Sequence, residues 1–102
     1  MRFCFDLDGT LCTDRTDMKY HLAQPLWDRI NEVNRLAMAG HYIIIDTARG
    51  SHTDDDWEDV TRRQLKHWRV RYDELRVGKK PFAHRYVDDR AVSADDYFKG
   101  ER

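Results

Sequence analysis

Asp6 and Asp8 stand two residues apart in the run Phe5-Asp6-Leu7-Asp8-Gly9-Thr10-Leu11, directly behind a short apolar segment. In a regular strand the two carboxylates would share one face. Gly9 and Thr10 are expected to stop the strand and leave both acids at its mouth, beside free backbone N–H groups. That arrangement suits phosphoryl transfer. One carboxylate can attack phosphorus and form an acyl-phosphate, the second can move protons, and a divalent cation can bridge carboxylate and phosphate oxygens. A turn with two surface acids competes with this interpretation, because Asp-Gly is a common turn pair.

The flanking elements decide between the two. Arg2 to Leu7 reads as a strand, and residues 9–22 as a polar, turn-rich flap over the strand end. A helix is expected from Pro25 to Ala39, with Leu26, Ile30, Val33 and Ala37 at helical spacing and Gly40 past its end. Tyr42-Ile43-Ile44-Ile45 reads as a strand buried on both faces, followed by the turn Asp46-Thr47-Ala48-Arg49-Gly50. Thr53 is expected to cap a second helix with Asp54, Asp55 and Asp56 in its first turn and Arg62, Arg63, Lys66, His67 and Arg69 at its end. Trp57, Val60, Leu65 and Trp68 mark its buried stripe. Short strands at Glu74–Val77 and Arg85–Val87 precede Gly78-Lys79-Lys80-Pro81 and Asp88-Asp89-Arg90, and a helix at Ala94–Lys99 closes the chain.

Strand and helix alternate, which predicts an α/β fold: a small, doubly wound, Rossmann-like parallel sheet with right-handed crossovers. Ligands of such sheets bind beyond the carboxyl ends of the strands. Asp6 and Asp8, Thr47, and Asp88 and Asp89 each follow a predicted strand, so three polar clusters from distant sequence are expected to meet at one edge.

The bulk numbers set the bounds. A chain of 102 residues is expected to form one domain, residues 1–102. The net charge of −1 supplies no global field for nucleic acid or membrane. No apolar run is long enough to span a bilayer. Cys4 and Cys12 lack metal-ligand spacing and read as a reduced pair, so a cytoplasmic protein is expected. The five histidines share no spacing that suggests a metal site, although His52 and His84 neighbour the polar clusters.

With these residues in view, the chain resembles the haloacid dehalogenase (HAD) superfamily of phosphatases over nearly its whole length. Asp6-Leu7-Asp8-Gly9-Thr10 matches the first motif, Thr47 in Thr47-Ala48-Arg49 the second, a lysine before Pro81 the third, and Asp88-Asp89 the fourth. The segments Ile43-Ile44-Ile45, Tyr72-Asp73-Glu74-Leu75 and Tyr86-Val87-Asp88-Asp89-Arg90-Ala91 are similar to the small bacterial capsule-biosynthesis phosphatases of that superfamily. The resemblance implies a HAD core, and the intervals between motifs leave no room for a cap domain.

The resemblance also implies roles. Asp6 would be the nucleophile, and Asp8 would protonate the leaving oxygen and then activate water. Mg²⁺ would be held by the Asp6 carboxylate, the Asp8 main-chain carbonyl and the Asp88-Asp89 pair. Asp89 is favoured there as the direct ligand and Asp88 as the partner that orients the lysine. Thr47 would hydrogen-bond a phosphoryl oxygen beside backbone N–H groups near Leu7–Gly9, with a strand-end turn as its competing role. Lys80 is favoured over Lys79 for the third motif, because it directly precedes Pro81 and lies eight residues before Asp88. Arg49 is assigned either to a second anionic group of the substrate or to a salt bridge with Asp54 or Asp55.

The expected activity is Mg²⁺-dependent hydrolysis of a small phosphorylated metabolite, with a sugar phosphate of surface-polysaccharide synthesis as the leading candidate. The acids Asp54–Asp56, Glu58 and Asp59 at the rim place a polynucleotide second. A nucleotide or polynucleotide 3′-end phosphatase is therefore one alternative, and a catalytically silent binding domain is another. No membrane partner is expected, and a homo-oligomer is one way to cover an open site.

Overall fold

The computed structural model describes residues 1–50, 56–81 and 83–100. Among these residues, three strands form one parallel sheet in the order β1 (Arg2–Phe5), β2 (Tyr42–Thr47) and β3 (Glu74–Val77). The register sets Phe5 beside Ile45 and Asp46 beside Arg76. Two helices make the crossovers, α1 (Trp27–Met38) and α2 (Glu58–His67), and α3 (Ala94–Lys99) follows β3.

Side chains of a strand alternate between its faces, and here the two faces differ sharply. Phe5, Ile43 and Ile45 are buried in one core cluster with Ile30, Val33 and Leu36 of α1 and Leu65 of α2, and Thr47 on the same face is buried too. Cys4 and Arg76 on the other face are exposed, and Asp6, Ile44 and Asp46 are only partly covered. Tyr97 and Phe98 of α3 pack on Phe5 from the core side. The β2 run is therefore buried on one face, not on both.

Among the described residues the sheet winds in one direction only. A doubly wound sheet needs a crossover to the far side of β1, and Arg85–Val87 would supply that strand. Those residues form no strand, and Val87 is 97% exposed. The segment instead folds back on its own start. The Tyr86 hydroxyl donates to the Pro81 carbonyl oxygen, and the Tyr86 ring lies against Lys80. The architecture is a small Rossmann-like α/β fold with a three-stranded parallel sheet.

Helix boundaries also shift from the sequence reading. Pro25 does not open α1: it bridges Cys12, while Leu26 N donates to Leu11 O at 2.9 Å and Thr13 N to Gln24 O at 2.9 Å. The link into α1 is thus stitched to the flap before the helix begins. Gly40 ends α1 as expected, with φ +94° and the paired bonds His41 N to Leu36 O and Gly40 N to Ala37 O. The helix after β2 begins at Glu58 behind Trp57. The expected cap Thr53, with Asp54 and Asp55, lies outside the described residues, as does His52. The α3 prediction holds residue for residue, with Ser93 Oγ accepting from Asp96 N at 3.2 Å.

Candidate active site at the carboxyl end of the sheet

Behind Phe5 the chain leaves the sheet through a tight turn. The amides of Thr10, Leu11 and Cys12 all donate to Leu7 O, and Gly9 N donates to Cys12 O at 2.8 Å. Gly9 takes φ +80°, a conformation that costs glycine little. These bonds consume the amides from Gly9 to Cys12. The backbone cradle expected at Leu7–Gly9 therefore loses Gly9, whose amide is not available as a donor to substrate. Arg29 of α1 holds the turn from outside, its Nη1 donating to Gly9 O and Thr10 O while its Nη2 pairs with Asp95 at 2.7 Å.

Asp6 stands on the open side of the sheet with its carboxylate facing the Lys80 ammonium, Oδ1 to Nζ at 3.6 Å. Burial pushes its carboxyl above the usual range, and the nearby Asp8 charge adds to that. The Lys80 charge and a backbone hydrogen bond from Leu7 oppose the rise. Lys80 is the expected lysine, and Lys79 is exposed. Asp46 follows Ile45 as Asp6 follows its partner Phe5, which places the two acids on the same face. The Asp46 Oδ1 atom is buried without a hydrogen-bond partner and lies 4.0 Å from Arg76 Nε.

Asp8 turns the other way, into a buried polar cluster. Arg49 meets it with two prongs, Nε to Oδ2 at 2.9 Å and Nη2 to Oδ1 at 2.8 Å. The remaining Arg49 N–H groups reach Thr61 Oγ1, Gln64 Oε1 and Cys12 Sγ, and the guanidinium lies 4.9 Å from the Tyr20 ring centre. Arg49 is fully buried and engaged on every side. It braces Asp8 and has no free donor for a substrate anion, while its other expected partners, Asp54 and Asp55, lie outside the described residues. The brace reaches the flap as well, since Gln64 Nε2 donates to Tyr20 O at 2.7 Å and Tyr20 packs edge-on against Trp57. Beside it, burial pushes the Cys12 thiol up to about 12, with the Asp8 charge as the next contribution.

Thr47 ends β2 in the interior. Its Oγ1 accepts from Arg49 N at 3.2 Å, the strand-end turn weighed against a phosphate contact, and its hydroxyl proton stays available for donation. Asp88 and Asp89 lie in the exposed segment after Tyr86, where Asp88 Oδ1 accepts from Arg90 N. Among the described residues, no three His, Cys, Asp or Glu side chains stand close enough to hold a metal ion. Asp88 and Asp89 are thus not gathered with Asp6 and Asp8. As arranged, the expected ligands do not compose a cation site.

The structure therefore joins Asp6 with Lys80, and Asp8 with Arg49 and the Thr47 turn. Arg29, Tyr20 and Gln64 escaped the sequence reading. Each lies in a segment assigned to helix or flap, and nothing in its spacing marks it as part of the site.

Comparison with known proteins adds the following. A crystal structure of an MCSG target from Vibrio cholerae matches with a TM-score of 0.81 and 30% identity, over 95% of this chain and 86% of that one. This chain belongs to the family of that protein. A chain of the Pnkp1/Rnl/Hen1 complex shares the fold more distantly, with a TM-score of 0.60 and 19% identity. That match covers 98% of this chain but 33% of the other, so the present chain spans about a third of its length. No family model and no curated protein matches. Among the described residues, no helix is long and apolar enough to cross a membrane.

Proposed function

We propose that the protein is a HAD-type phosphomonoester hydrolase that works through an aspartyl-phosphate on Asp6. The pairing of the Asp6 carboxylate with the Lys80 ammonium at the carboxyl end of β1 carries this reading. In it, an Asp6 oxygen attacks phosphorus and the ester oxygen departs with a proton from Asp8. Asp8 then takes a proton from the water that releases phosphate and frees Asp6. Lys80 offsets the charge on the nucleophile and on the transferring group.

The Asp8 carboxylate keeps one position open. A carboxylate offers about four acceptor positions. Arg49 occupies two and the Cys12 thiol donates to Oδ1 at 3.4 Å, which leaves room for one more partner. The Thr47 hydroxyl is the proposed donor to a phosphoryl oxygen. Mg²⁺ remains the cofactor that the sequence resemblance implies, with Asp6, Asp8, Asp88 and Asp89 as its candidate ligands.

A small phosphorylated compound is the proposed substrate class. The neighbour from the Pnkp1/Rnl/Hen1 complex favours a second reading within the same chemistry, a nucleotide or polynucleotide 3′-end phosphatase. The test is phosphate release by wild type and Asp6→Asn, with Mg²⁺ or with EDTA, from sugar phosphates, nucleotides and 3′-phosphorylated oligonucleotides. Release that needs Mg²⁺ and vanishes in a folded Asp6→Asn supports the proposal. Release that survives the substitution refutes the aspartyl-phosphate, and silence across the panel favours a binding domain.

A further inference from the structure

Tyr86 stands at the site, yet the phosphoryl chemistry has no use for it. The Lys80 ammonium that faces Asp6 at 3.6 Å also lies 4.5 Å from the centre of the Tyr86 ring, so one ammonium spans the gap between ring and nucleophile. The Tyr86 hydroxyl is tied to the Pro81 carbonyl oxygen, which fixes the ring in place. Half of the residue, 50%, nevertheless stays open to solvent. A fixed aromatic ring, cation-backed and exposed beside a nucleophile, is built to receive a flat group.

We infer that Tyr86 is the platform for the organic part of the substrate and that this part is a nucleobase, so that the substrate is a nucleoside monophosphate or a phosphate-terminated nucleotide. This rests on the phosphatase reading and narrows it. Every base offers a π-face to an aromatic ring, whereas a bare sugar phosphate does not. The surrounding charge agrees. From Arg76 to Arg90 the chain carries five Lys and Arg against two Asp. On the α2 side, Glu58 and Asp59 are paired with Arg62 and Arg63 one turn along the helix. The acids read from the sequence as disfavouring a polynucleotide are in these two cases already matched.

The experiment compares kcat/KM for adenosine 3′- and 5′-monophosphate with that for ribose 5-phosphate in wild type, Tyr86→Ala and Tyr86→Phe. Loss of one base–aromatic stack corresponds to about 5-fold or more. Wild type should prefer the better nucleotide by at least that factor, expressed mainly in KM. Tyr86→Ala should bring the ratio towards one, and Tyr86→Phe, which keeps the ring, should retain it. A Tyr86 that merely seats Lys80 would lower kcat for all esters together and leave the ratio unchanged, which overturns the inference. Equal use of nucleotide and ribose phosphate by wild type overturns it too, while the phosphatase reading survives. No release from any ester by folded wild type refutes that reading and the inference with it.

Discussion

Arg49 holds Asp8 by two parallel hydrogen bonds of 2.9 and 2.8 Å while its other donors reach Thr61, Gln64 and Cys12. A guanidinium has five N–H donors in a fixed fork, and here each has an acceptor. The residue that follows the β2 turn therefore sets the position of the acid that follows β1. Through Gln64 and Tyr20 it also ties both to α2 and the flap.

Removal of Arg49 should be costly. Breaking one side of a buried ion pair typically costs about 3–5 kcal/mol, because the partner is left without compensation. Arg49→Met is expected to lose stability on that scale in urea titrations. Asp8→Asn should also destabilise, since it leaves a buried guanidinium facing a neutral amide. The double variant should lose less than the two single losses combined. Strict additivity would show that the two groups are not coupled.

The two lysines before Pro81 separate by contact. Lys80 faces Asp6, whereas Lys79 is exposed. Loss of one preorganised charge contact at a transition state costs about 100-fold to 1000-fold in kcat. Lys80→Ala is expected to fall in that range, and Lys79→Ala to stay close to wild type. Steady-state kinetics on any ester that wild type hydrolyses would decide, and equal losses would contradict the assignment.

The parts of this fold written in periodicity were legible. Ile30 and Val33 are buried at the helical spacing read for them, although Leu36 and not the expected Ala37 completes the buried stripe, and the Ile43–Ile45 run lies on the middle strand of the sheet. Asp6 with Lys80 could be read because a strand-end acid and a lysine before a proline leave a local signature. Arg49 could not, because its partners Thr61, Gln64 and Cys12 lie up to 37 residues away and only packing brings them together. Arg85–Val87 misled for a related reason. A β-prone trio becomes a strand only when an edge receives it, and Tyr86 is instead held to Pro81 and Lys80.

Asp95 should give α3 an acid limit. The hydrogen bond from Arg29 holds its carboxyl below the usual range. A carboxyl lowered on folding contributes stability that is present above its unfolded pKa, near 3.8, and lost as pH falls through the lower folded value. Acid titration followed by circular dichroism should therefore show a stability loss beginning below about pH 4. Asp95→Asn should flatten that part of the curve, and an identical acid limb in both proteins would exclude the contribution.

Metal dependence tests the fourth motif separately from the fold. Asp88 and Asp89 are exposed and lie outside the core, so Asp88→Asn and Asp89→Asn should leave thermal stability within about 0.5 kcal/mol of wild type. If Asp89 is the direct ligand, Asp89→Asn should raise the Mg²⁺ concentration needed for half-maximal turnover more than Asp88→Asn does. The reverse order would exchange their roles. Turnover unaffected by EDTA in wild type would remove the ion from the proposal.

The turn after α2 offers a gain in stability. Arg69 adopts φ +58° one residue past Trp68, with Val70 N bonded to Leu65 O and Arg69 N to Lys66 O. This is the left-handed helix ending that glycine usually occupies, and a residue with a Cβ pays about 1–2 kcal/mol there. Asn34 of α1 holds the strained turn from both sides, its Nδ2 donating to Arg69 O at 2.9 Å and its Oδ1 accepting from Arg71 N at 2.7 Å. Arg69→Gly should relieve the strain, partly offset by the extra freedom of an unfolded glycine, for a net gain of about 0.5–1 kcal/mol. Asn34→Ala should cost about 1–3 kcal/mol, because two backbone groups lose their partner. Chemical denaturation of the two single variants checks both signs. A loss of stability in Arg69→Gly would mean that the arginine side chain, exposed as it is, supplies more to the fold than its backbone conformation takes away.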